Sequence, residues 1–259
     1  MKAIAILILA FFAATTLRAE ELKRMEVTVD GAVRFALVHT PVQFSQPAPL
    51  VFAWHGHGGS ALQASRSFHI HAEWPQSVVV YPEGVPTPGM TDPAGEKRGW
   101  QQKPGDLDGR DLKFFDAILA QVKKDAAIDA KRVYSTGHSN GAGFTYLLWG
   151  ARPDVFAAIA PSAGGFRPAF AGKPVPVIQF AGEKDEIVPF RMQQLCMQMT
   201  KRINGCTVDG KPWGDTKGAT LYPSETGTPL VSYIHSGGHG YPTEAPAMIV
   251  RFFKEHARK

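Results

Sequence analysis

The chain has 259 residues and a formal net charge of +5. This positive charge is small and dispersed, and no run of five or six like charges occurs, which argues against nucleic acid as a partner. The length suits one large α/β domain or two smaller ones, and we find no internal repeat, low-complexity tract or interdomain linker.

The first 19 residues have the pattern of a signal peptide. Lys2 gives a positive start, an apolar stretch continues to about Leu17, and Ala19 is a small residue suited to cleavage. The apolar stretch is shorter than the roughly 20 residues of a membrane-spanning helix. The sequence therefore predicts a signal peptide over 1–19, no membrane span, and a secreted or periplasmic single domain over 20–259. A buried N-terminal helix is the alternative.

The next part of the chain alternates predicted strands with predicted helices. Apolar and polar residues alternate on both sides of Asp30-Gly31, a dipeptide that favours a hairpin turn. The apolar run APLVFAW predicts a buried strand that ends at the glycine-rich loop HGHGGS. A helix over about 60–74, a buried strand in SVVVYPEG and a helix in GRDLKFFDAILAQVKKDAAID follow. The last helix has apolar residues at helical spacing, namely Leu112, Phe115, Ile118, Leu119 and Val122.

The same alternation continues to the end of the chain. The predicted elements are strand 132–136, helix 141–151, strands 156–160 and 175–181, helix 189–203, a hairpin in ATLYPSETGTPLVSYIHSGG and helix 243–257. Strands that alternate with helices form parallel βαβ units. We therefore expect an α/β fold with a doubly wound, mostly parallel sheet of about eight strands flanked by helices. The long segments 82–108 and 204–218 lack regular signals, and the first is a candidate for shaping a substrate site.

The stretch VYSTGHSNGAGFTY places one serine between two glycines, where a predicted strand meets a predicted helix. A G-x-S-x-G pattern alone is a weak signal, but this position is the context of a nucleophile elbow. Gly137 and Gly141 lack Cβ atoms, so the backbone can adopt the strained turn. The pattern predicts that Ser139 is a nucleophile at the sheet edge. A tight turn that only needs small residues is the alternative.

A serine nucleophile needs a base, and the base needs an acid to orient it, in the chain order serine, acid, histidine. Asp185 is the best placed of three carboxylates that follow a predicted buried strand. His239 lies among glycines after the last predicted strand, whereas His235 falls within the strand pattern. We therefore predict a catalytic triad of Ser139, Asp185 and His239. The alternatives are an ordinary loop or capping carboxylate and a turn histidine.

An acyl-transfer site also needs hydrogen-bond donors for the oxyanion of its tetrahedral intermediate. The loop HGHGGS follows a buried strand, as oxyanion loops of the HGGG type do. The backbone N–H of His57, or alternatively that of Gly58, is expected to join the backbone N–H of Asn140 as an oxyanion donor. His55 is expected to brace the loop.

Closely spaced histidines raise the alternative of a metal site. No Asp-His pair follows His55-x-His57, and His69 and His71 fall on a predicted helix, where residues i and i+2 face apart. We therefore expect no metal and no other cofactor. His138 is expected to be only the variable residue of the elbow motif.

The chain has two cysteines, Cys196 and Cys206. An even cysteine count in an exported protein favours a disulfide, which would stabilise the fold by roughly 2.5–3 kcal/mol in the chain-entropy model. Two reduced thiols are the alternative.

Several stretches together resemble a known family. In chain order they are HGHGGS, VVYPEG, the Gly99-Trp100 pair, DLKFFDAIL, RVYSTGHSNGAG, FAAIAPSAGG and SGGHGYP. Their order and spacing over about residues 30–255 resemble secreted esterases of the polyhydroxybutyrate depolymerase and feruloyl esterase type. The resemblance implies an α/β-hydrolase fold, a carboxylic ester substrate and a triad on the three residues predicted above.

Two features depart from the pattern of this family. The elbow continues Gly141-Ala142 where many members have a second glycine, and the acid loop begins AGEKD where a histidine and a glycine are more usual. Neither change removes a catalytic group.

The favoured hypothesis is a secreted serine esterase that acts on feruloyl or acetyl esters of plant cell walls or on hydroxyalkanoate esters. Its substrate would be a small molecule or an ester carried on a polymer. Trp100 and Trp213 are candidates for stacking on an aromatic acyl group or a sugar, with loop packing as the alternative. A secreted serine peptidase of the same fold and a non-catalytic hydrolase-like binding module are the competing functions. The sequence does not determine the oligomeric state.

Overall fold

The computed structural model describes residues 22–42, 47–165 and 172–258. The predicted signal peptide over 1–19 lies outside these ranges. Within them, no helix combines the length and apolar character that a membrane crossing requires.

Strands and helices alternate along most of the described chain. The strands are β1 (Lys23–Val29), β2 (Ala32–His39), β3 (Ala48–Trp54), β4 (Val78–Pro82), β5 (Val85–Pro86), β6 (Arg98–Gly99), β7 (Ile128–His138), β8 (Ala158–Ser162), β9 (Val177–Gly182), β10 (Lys211–Pro212), β11 (Ala219–Tyr222) and β12 (Leu230–His235). The helices are α1 (Ala61–Phe68), α2 (Ile70–Glu73), α3 (Arg110–Asp125), α4 (Asn140–Ala151), α5 (Phe190–Ile203) and α6 (Ala245–Lys254), and a 3₁₀ turn at Asp106–Gly109 precedes α3.

One large sheet organises these elements, with the strand order β1-β2-β4-β3-β7-β8-β9-β12-β11-β10. Neighbouring strands from β4 to β12 run parallel, whereas β1, β2, β11 and β10 pair antiparallel at the two edges. The described sheet therefore has ten strands where about eight were predicted. The edge strand β10 spans two residues, which is too short to show an alternating pattern in the sequence.

The first hairpin forms where the sequence predicts it. Asp30 and Gly31 connect β1 to β2, and both have positive φ angles, 48° and 81°. Positive φ at both central residues is the geometry that favours Asp-Gly in two-residue hairpin turns.

The central strands are buried on both faces of the sheet. Along β3, Leu50 and Phe52 belong to one hydrophobic layer, whereas Val51 and Ala53 belong to the other. Successive side chains of a strand point to opposite faces, so a continuous apolar run requires a layer on each side. Residues of α3, α4 and α5 fill the first layer, and residues of α1, α2 and α6 fill the second. This packing confirms the doubly wound α/β architecture.

The single helix predicted over 60–74 is wrong, because it divides into α1 and α2 at His69. His69 has φ 50° and ψ 23°, a left-handed conformation, and its N–H donates to the Ser65 carbonyl at 3.2 Å. His69 and His71 therefore do not face apart on one helix, and their ring centroids are 5.4 Å apart. Among the described residues, no group of three or more His, Cys, Asp or Glu side chains is arranged to hold a metal ion.

The predicted disulfide is also wrong, since Cys196 and Cys206 are not bonded to each other in the structure. Cys196 lies on the buried face of α5, within the hydrophobic core. Cys206 lies beyond the end of that helix, where its backbone pairs with Ser224 and its Sγ donates to the Thr228 carbonyl at 3.7 Å. The two thiols thus have different surroundings, which cysteine count alone does not reveal.

Candidate active site

Four loops meet at the carboxyl edge of the parallel strands. Ser139 lies between β7 and α4, and the loop 55–60 follows β3. Asp185 follows β9 by three residues, and His239 follows β12 by four. Since β3, β7, β8, β9 and β12 are consecutive in the parallel sheet, their carboxyl ends bring these loops together.

Ser139 has a strained backbone, with φ 56° and ψ −118°. Its N–H donates to the Ser162 carbonyl at 2.8 Å, which fixes the turn against β8. A Cβ atom on Gly137 would collide with the Gly141 carbonyl, and one on Gly141 would collide with the Trp54 carbonyl. The two glycines therefore allow the close approach of strand and helix that forces Ser139 into this conformation.

The structure brings Ser139, His239 and Asp185 into one hydrogen-bonded series. His239 Nε2 lies 2.8 Å from Ser139 Oγ, and His239 Nδ1 lies 2.8 Å from Asp185 Oδ2. This is the geometry in which an imidazole can take a proton from a hydroxyl while a carboxylate orients the ring.

Asp185 is buried and is held by several donors besides His239. Its Oδ1 accepts the backbone N–H groups of Ile187 and Val188, at 2.9 and 2.8 Å, and its Oδ2 accepts Gln193 Nε2 at 2.9 Å. These hydrogen bonds fix the position and orientation of the carboxylate. The sequence analysis did not single out Gln193, because nothing in a helix pattern shows which side chain reaches back to a loop.

The backbone contacts of the loop 55–60 discriminate between the two candidate oxyanion donors. The Gly58 N–H donates to the Arg98 carbonyl at 2.7 Å, so it is already used and does not point to an oxyanion. The His57 N–H is left as the candidate donor on this loop, to act with the N–H of Asn140 at the start of α4. The side chain of His57 is anchored separately, with Nε2 3.0 Å from Asp92 Oδ2.

His55 is buried and braces the loop through both ring nitrogens. Its Nδ1 lies 2.7 Å from the Gly56 carbonyl, and its Nε2 accepts the Gly84 N–H at 2.9 Å. Burial lowers the pKa of His55 to about 4, so the ring is neutral near pH 7 and can accept this bond.

Trp100 supports the elbow instead of presenting a surface for substrate. Its side chain is fully buried, with the ring packed against Trp54 and Phe144, and its Nε1 donates to the His55 carbonyl at 2.9 Å. The predicted stacking role is therefore corrected. The indole packs against these rings, and Trp100 also belongs to the lining of the cavity described below.

Trp213 is likewise not placed to bind substrate as predicted. It is buried against Phe252 of α6, and the guanidinium carbon of Arg251 lies 4.0 Å from its ring centroid. Its ring thus packs the segment 204–218 onto the helix layer of α6.

A cavity of about 320 Å³ opens beside Trp100 and Gln102. The segment 82–108 supplies its lining, which includes Pro88, Gln102 and Leu107. Gln102 connects the cavity to the elbow, since its Nε2 lies 3.5 Å from the Asn140 carbonyl.

The comparisons with known proteins agree with the resemblance noted in the sequence. No family model matches the chain. Feruloyl esterase D of Neurospora crassa is 28% identical over 227 residues, which cover 82% of this chain and 75% of the relative. Probable feruloyl esterase C of Aspergillus oryzae is 26% identical over 200 residues, 75% of this chain and 71% of the relative. These relatives confirm the predicted resemblance to feruloyl esterases.

A solved structure confirms the predicted fold. The acetyl xylan esterase from Aspergillus awamori superposes with a TM-score of 0.69 at 12% sequence identity, over 90% of this chain and 99% of that one. At this level of identity the likeness concerns the fold, which is that of the α/β-hydrolases.

Proposed function

We propose that this chain is a secreted serine esterase with Ser139 as nucleophile. Its similarity to feruloyl esterases and its α/β-hydrolase fold support a carboxylic-ester hydrolase. His239 is the general base and acid, and Asp185 orients it. The observation that carries this proposal is the series of two 2.8 Å contacts from Ser139 Oγ through His239 to Asp185 at a strained elbow.

In acylation, Ser139 Oγ attacks the ester carbonyl carbon while its proton passes to His239 Nε2. The imidazolium that forms is stabilised by the buried carboxylate of Asp185. The carbonyl oxygen becomes an oxyanion. It accepts hydrogen bonds from the backbone N–H groups of His57 and Asn140. Removal of one such donor typically lowers kcat by about 10²–10³-fold.

The tetrahedral intermediate then collapses, and the C–O bond to the alcohol breaks. His239 gives its proton to the departing alkoxide, so the alcohol leaves neutral and Ser139 carries the acyl group. In deacylation a water molecule loses a proton to His239 and attacks the acyl carbon. The second collapse returns that proton to Ser139 and releases the acid.

The proposed substrates are feruloyl and acetyl esters, small or attached to a polymer. This substrate class is supported by the named relatives. The 320 Å³ cavity lined by the segment 82–108 is the proposed place for part of the substrate, and Gln102 links it to the elbow. Secretion is supported by the pattern of residues 1–19. We propose one catalytic domain over 20–259.

Two measurements test this function. The purified protein is reacted with a serine-directed fluorophosphonate, and the labelled peptide should contain Ser139, whereas the Ser139→Ala variant should not label. Hydrolysis is then compared across methyl ferulate, an aryl acetate, a 3-hydroxybutyrate ester and a peptide amide. Feruloyl or acetyl turnover is expected, and it should fall by about 10⁶-fold in Ser139→Ala. Labelling without any ester turnover, or a preference for the peptide, would refute the esterase assignment.

A further inference from the structure

His138, the residue directly before Ser139, packs against the loop that carries His239. The centroid of its ring lies 5.0 Å from that of His239 and 5.7 Å from that of Tyr241, which it meets edge to face. The side chain of His138 is therefore held between two residues of the same loop, although it belongs to the end of β7.

The ring of His138 also has polar neighbours on two elements. Its Nδ1 lies 3.3 Å from Ser162 Oγ. The nearby backbone of His239 favours the protonated ring and so raises the pKa of His138, against the larger effect of burial. A neutral imidazole has one donor nitrogen and one acceptor nitrogen. A backbone carbonyl can only accept, so the ring donates to the His239 carbonyl and Nδ1 accepts the Ser162 hydroxyl.

The protonation state of His138 suits this arrangement. Burial, and after it the charge of neighbouring His239, lower the pKa of His138 to about 4. A positive charge on His138 would repel the imidazolium that His239 forms during catalysis and would therefore disfavour that imidazolium. A neutral ring avoids this repulsion and still supplies the hydrogen bond to the His239 carbonyl.

Ser162 connects the same ring to the backbone of the elbow. It pairs with His138 where β8 runs beside β7, and its carbonyl accepts the Ser139 N–H at 2.8 Å. A continuous path thus leads from the elbow through Ser162 and His138 to the His239 loop. This path does not use the bond between Ser139 and His239.

We propose that His138 is a positioning residue that holds the His239 loop where Nε2 reaches Ser139 Oγ. The inference rests on the proposed function, because it takes His239 as the base for Ser139. Gly237, Gly238 and Gly240 have no side chains that could hold the loop, so contacts of other residues must fix the position of His239. A displacement of about 1 Å from productive geometry can lower a rate by on the order of 10²-fold.

Three variants separate positioning from simple packing. His138→Phe keeps a ring of similar shape but removes both nitrogens. His138→Gln keeps an amide N–H for the His239 carbonyl and an oxygen for the Ser162 hydroxyl. Ser162→Ala removes only the hydroxyl at the other end of the path. For each, the fluorophosphonate labelling rate, kcat and KM on an aryl acetate, and the melting temperature are measured.

We expect His138→Phe to lower the labelling rate and kcat together by about 10–100-fold, with KM changed less than about threefold. His138→Gln should recover both rates to within about fivefold of the unaltered protein, and Ser162→Ala should lower both by about three- to tenfold. Labelling reports the activation of Ser139 without depending on which ester is the substrate.

Unchanged labelling in His138→Phe would overturn the inference, and so would equal losses in the Phe and Gln variants, which indicate packing alone. Should His138→Phe fail to fold, Ser162→Ala decides, and an unchanged labelling rate there overturns the inference. Failure of the proposed function looks different, because the unaltered protein would then not be labelled at all.

Discussion

The side-chain amide of Asn140 exchanges two hydrogen bonds with the backbone of Trp100. Trp100 N–H donates to Asn140 Oδ1 at 2.7 Å, and Asn140 Nδ2 donates to the Trp100 carbonyl at 3.1 Å. The residue whose N–H is the proposed oxyanion donor is thereby tied to the segment 82–108. The same segment engages the oxyanion loop, since the Arg98 carbonyl accepts the Gly58 N–H.

We therefore predict that Asn140→Ala lowers kcat/KM for an aryl acetate by about 10–100-fold, because the two lost hydrogen bonds are together worth about 1–3 kcal/mol. The variant retains the backbone N–H, so the loss measures the position of the donor and not its removal. Asn140→Asp should be worse than Asn140→Ala, because a carboxylate oxygen would then face the Trp100 carbonyl. Activity of Asn140→Ala within about twofold of the unaltered protein would contradict this role.

The assignment of the base yields a matched pair of variants. His239→Ala should lower kcat by at least about 10³-fold, as loss of a triad member does. His235→Ala should lower it by less than about tenfold, because His235 ends β12, stacks on Tyr233 and accepts a hydrogen bond at Nδ1 from the nearby Gly237 N–H at 3.2 Å. Steady-state kinetics on an aryl acetate decide between the two. The reverse order of losses would show that the base is assigned to the wrong histidine.

Two glycines of α4 give a test of the elbow geometry. Helix propensity alone favours alanine over glycine by about 1 kcal/mol. At Gly141 a Cβ would overlap the backbone carbonyls of Trp54 and His55, which cannot move without displacing β3. At Gly143 it would meet only the end of the Gln102 side chain, which can rotate away.

Gly141→Ala should therefore lower the free energy of unfolding by about 1–3 kcal/mol, the usual cost of overpacking, and should also reduce labelling of Ser139. Gly143→Ala should keep its stability to within about 1 kcal/mol and should still be labelled. Urea denaturation measures the first quantity in both variants. Equal stabilities for the two would show that the elbow tolerates a methyl group next to β3.

The turn at Ser139 and the alternation of strands with helices were predictable because each depends on residues close in sequence or on a pattern of fixed period. Ser139 needs two glycines within two positions, and the parallel strands need only continuous apolar runs. His239 could be chosen over His235 because the glycines around it mark a loop.

What the sequence did not show depends on contacts between distant segments. The burial of Trp100 and the contacts of His138 with the His239 loop arise only when the segment 82–108 and the loop after β12 fold over the elbow. The left-handed conformation of His69, which divides the predicted helix, has no signal in the hydropathy pattern. The disulfide between Cys196 and Cys206 was predicted wrongly for a similar reason. The packing of α5 places Cys196 in the hydrophobic core, and a count of cysteines does not reveal this.

Histidines buried in the neutral form should make the fold sensitive to acid. The pKa of His55 is lowered by burial from 6.5 to about 4, and that of His71 is lowered in the same direction by burial. In the unfolded chain a histidine takes up a proton near pH 6.5, whereas in the folded protein it does so only near pH 4. The unfolded state therefore binds more protons in this interval. The contribution to stability is complete above about pH 6.5 and is lost as the pH falls towards 4.

We predict that the free energy of unfolding, measured with urea at several pH values, decreases between about pH 6.5 and pH 4. Each fully buried histidine adds a slope of up to about 1.4 kcal/mol per pH unit, and the half-buried His71 adds less.

His55→Gln should be less stable near pH 7, because it loses the bonds to Gly56 and Gly84. Its stability should also fall less steeply with acid than that of the unaltered protein. Above about pH 7 the two stability curves should run parallel, which serves as the internal control. Parallel curves down to about pH 4 would show that His55 does not contribute to the acid sensitivity.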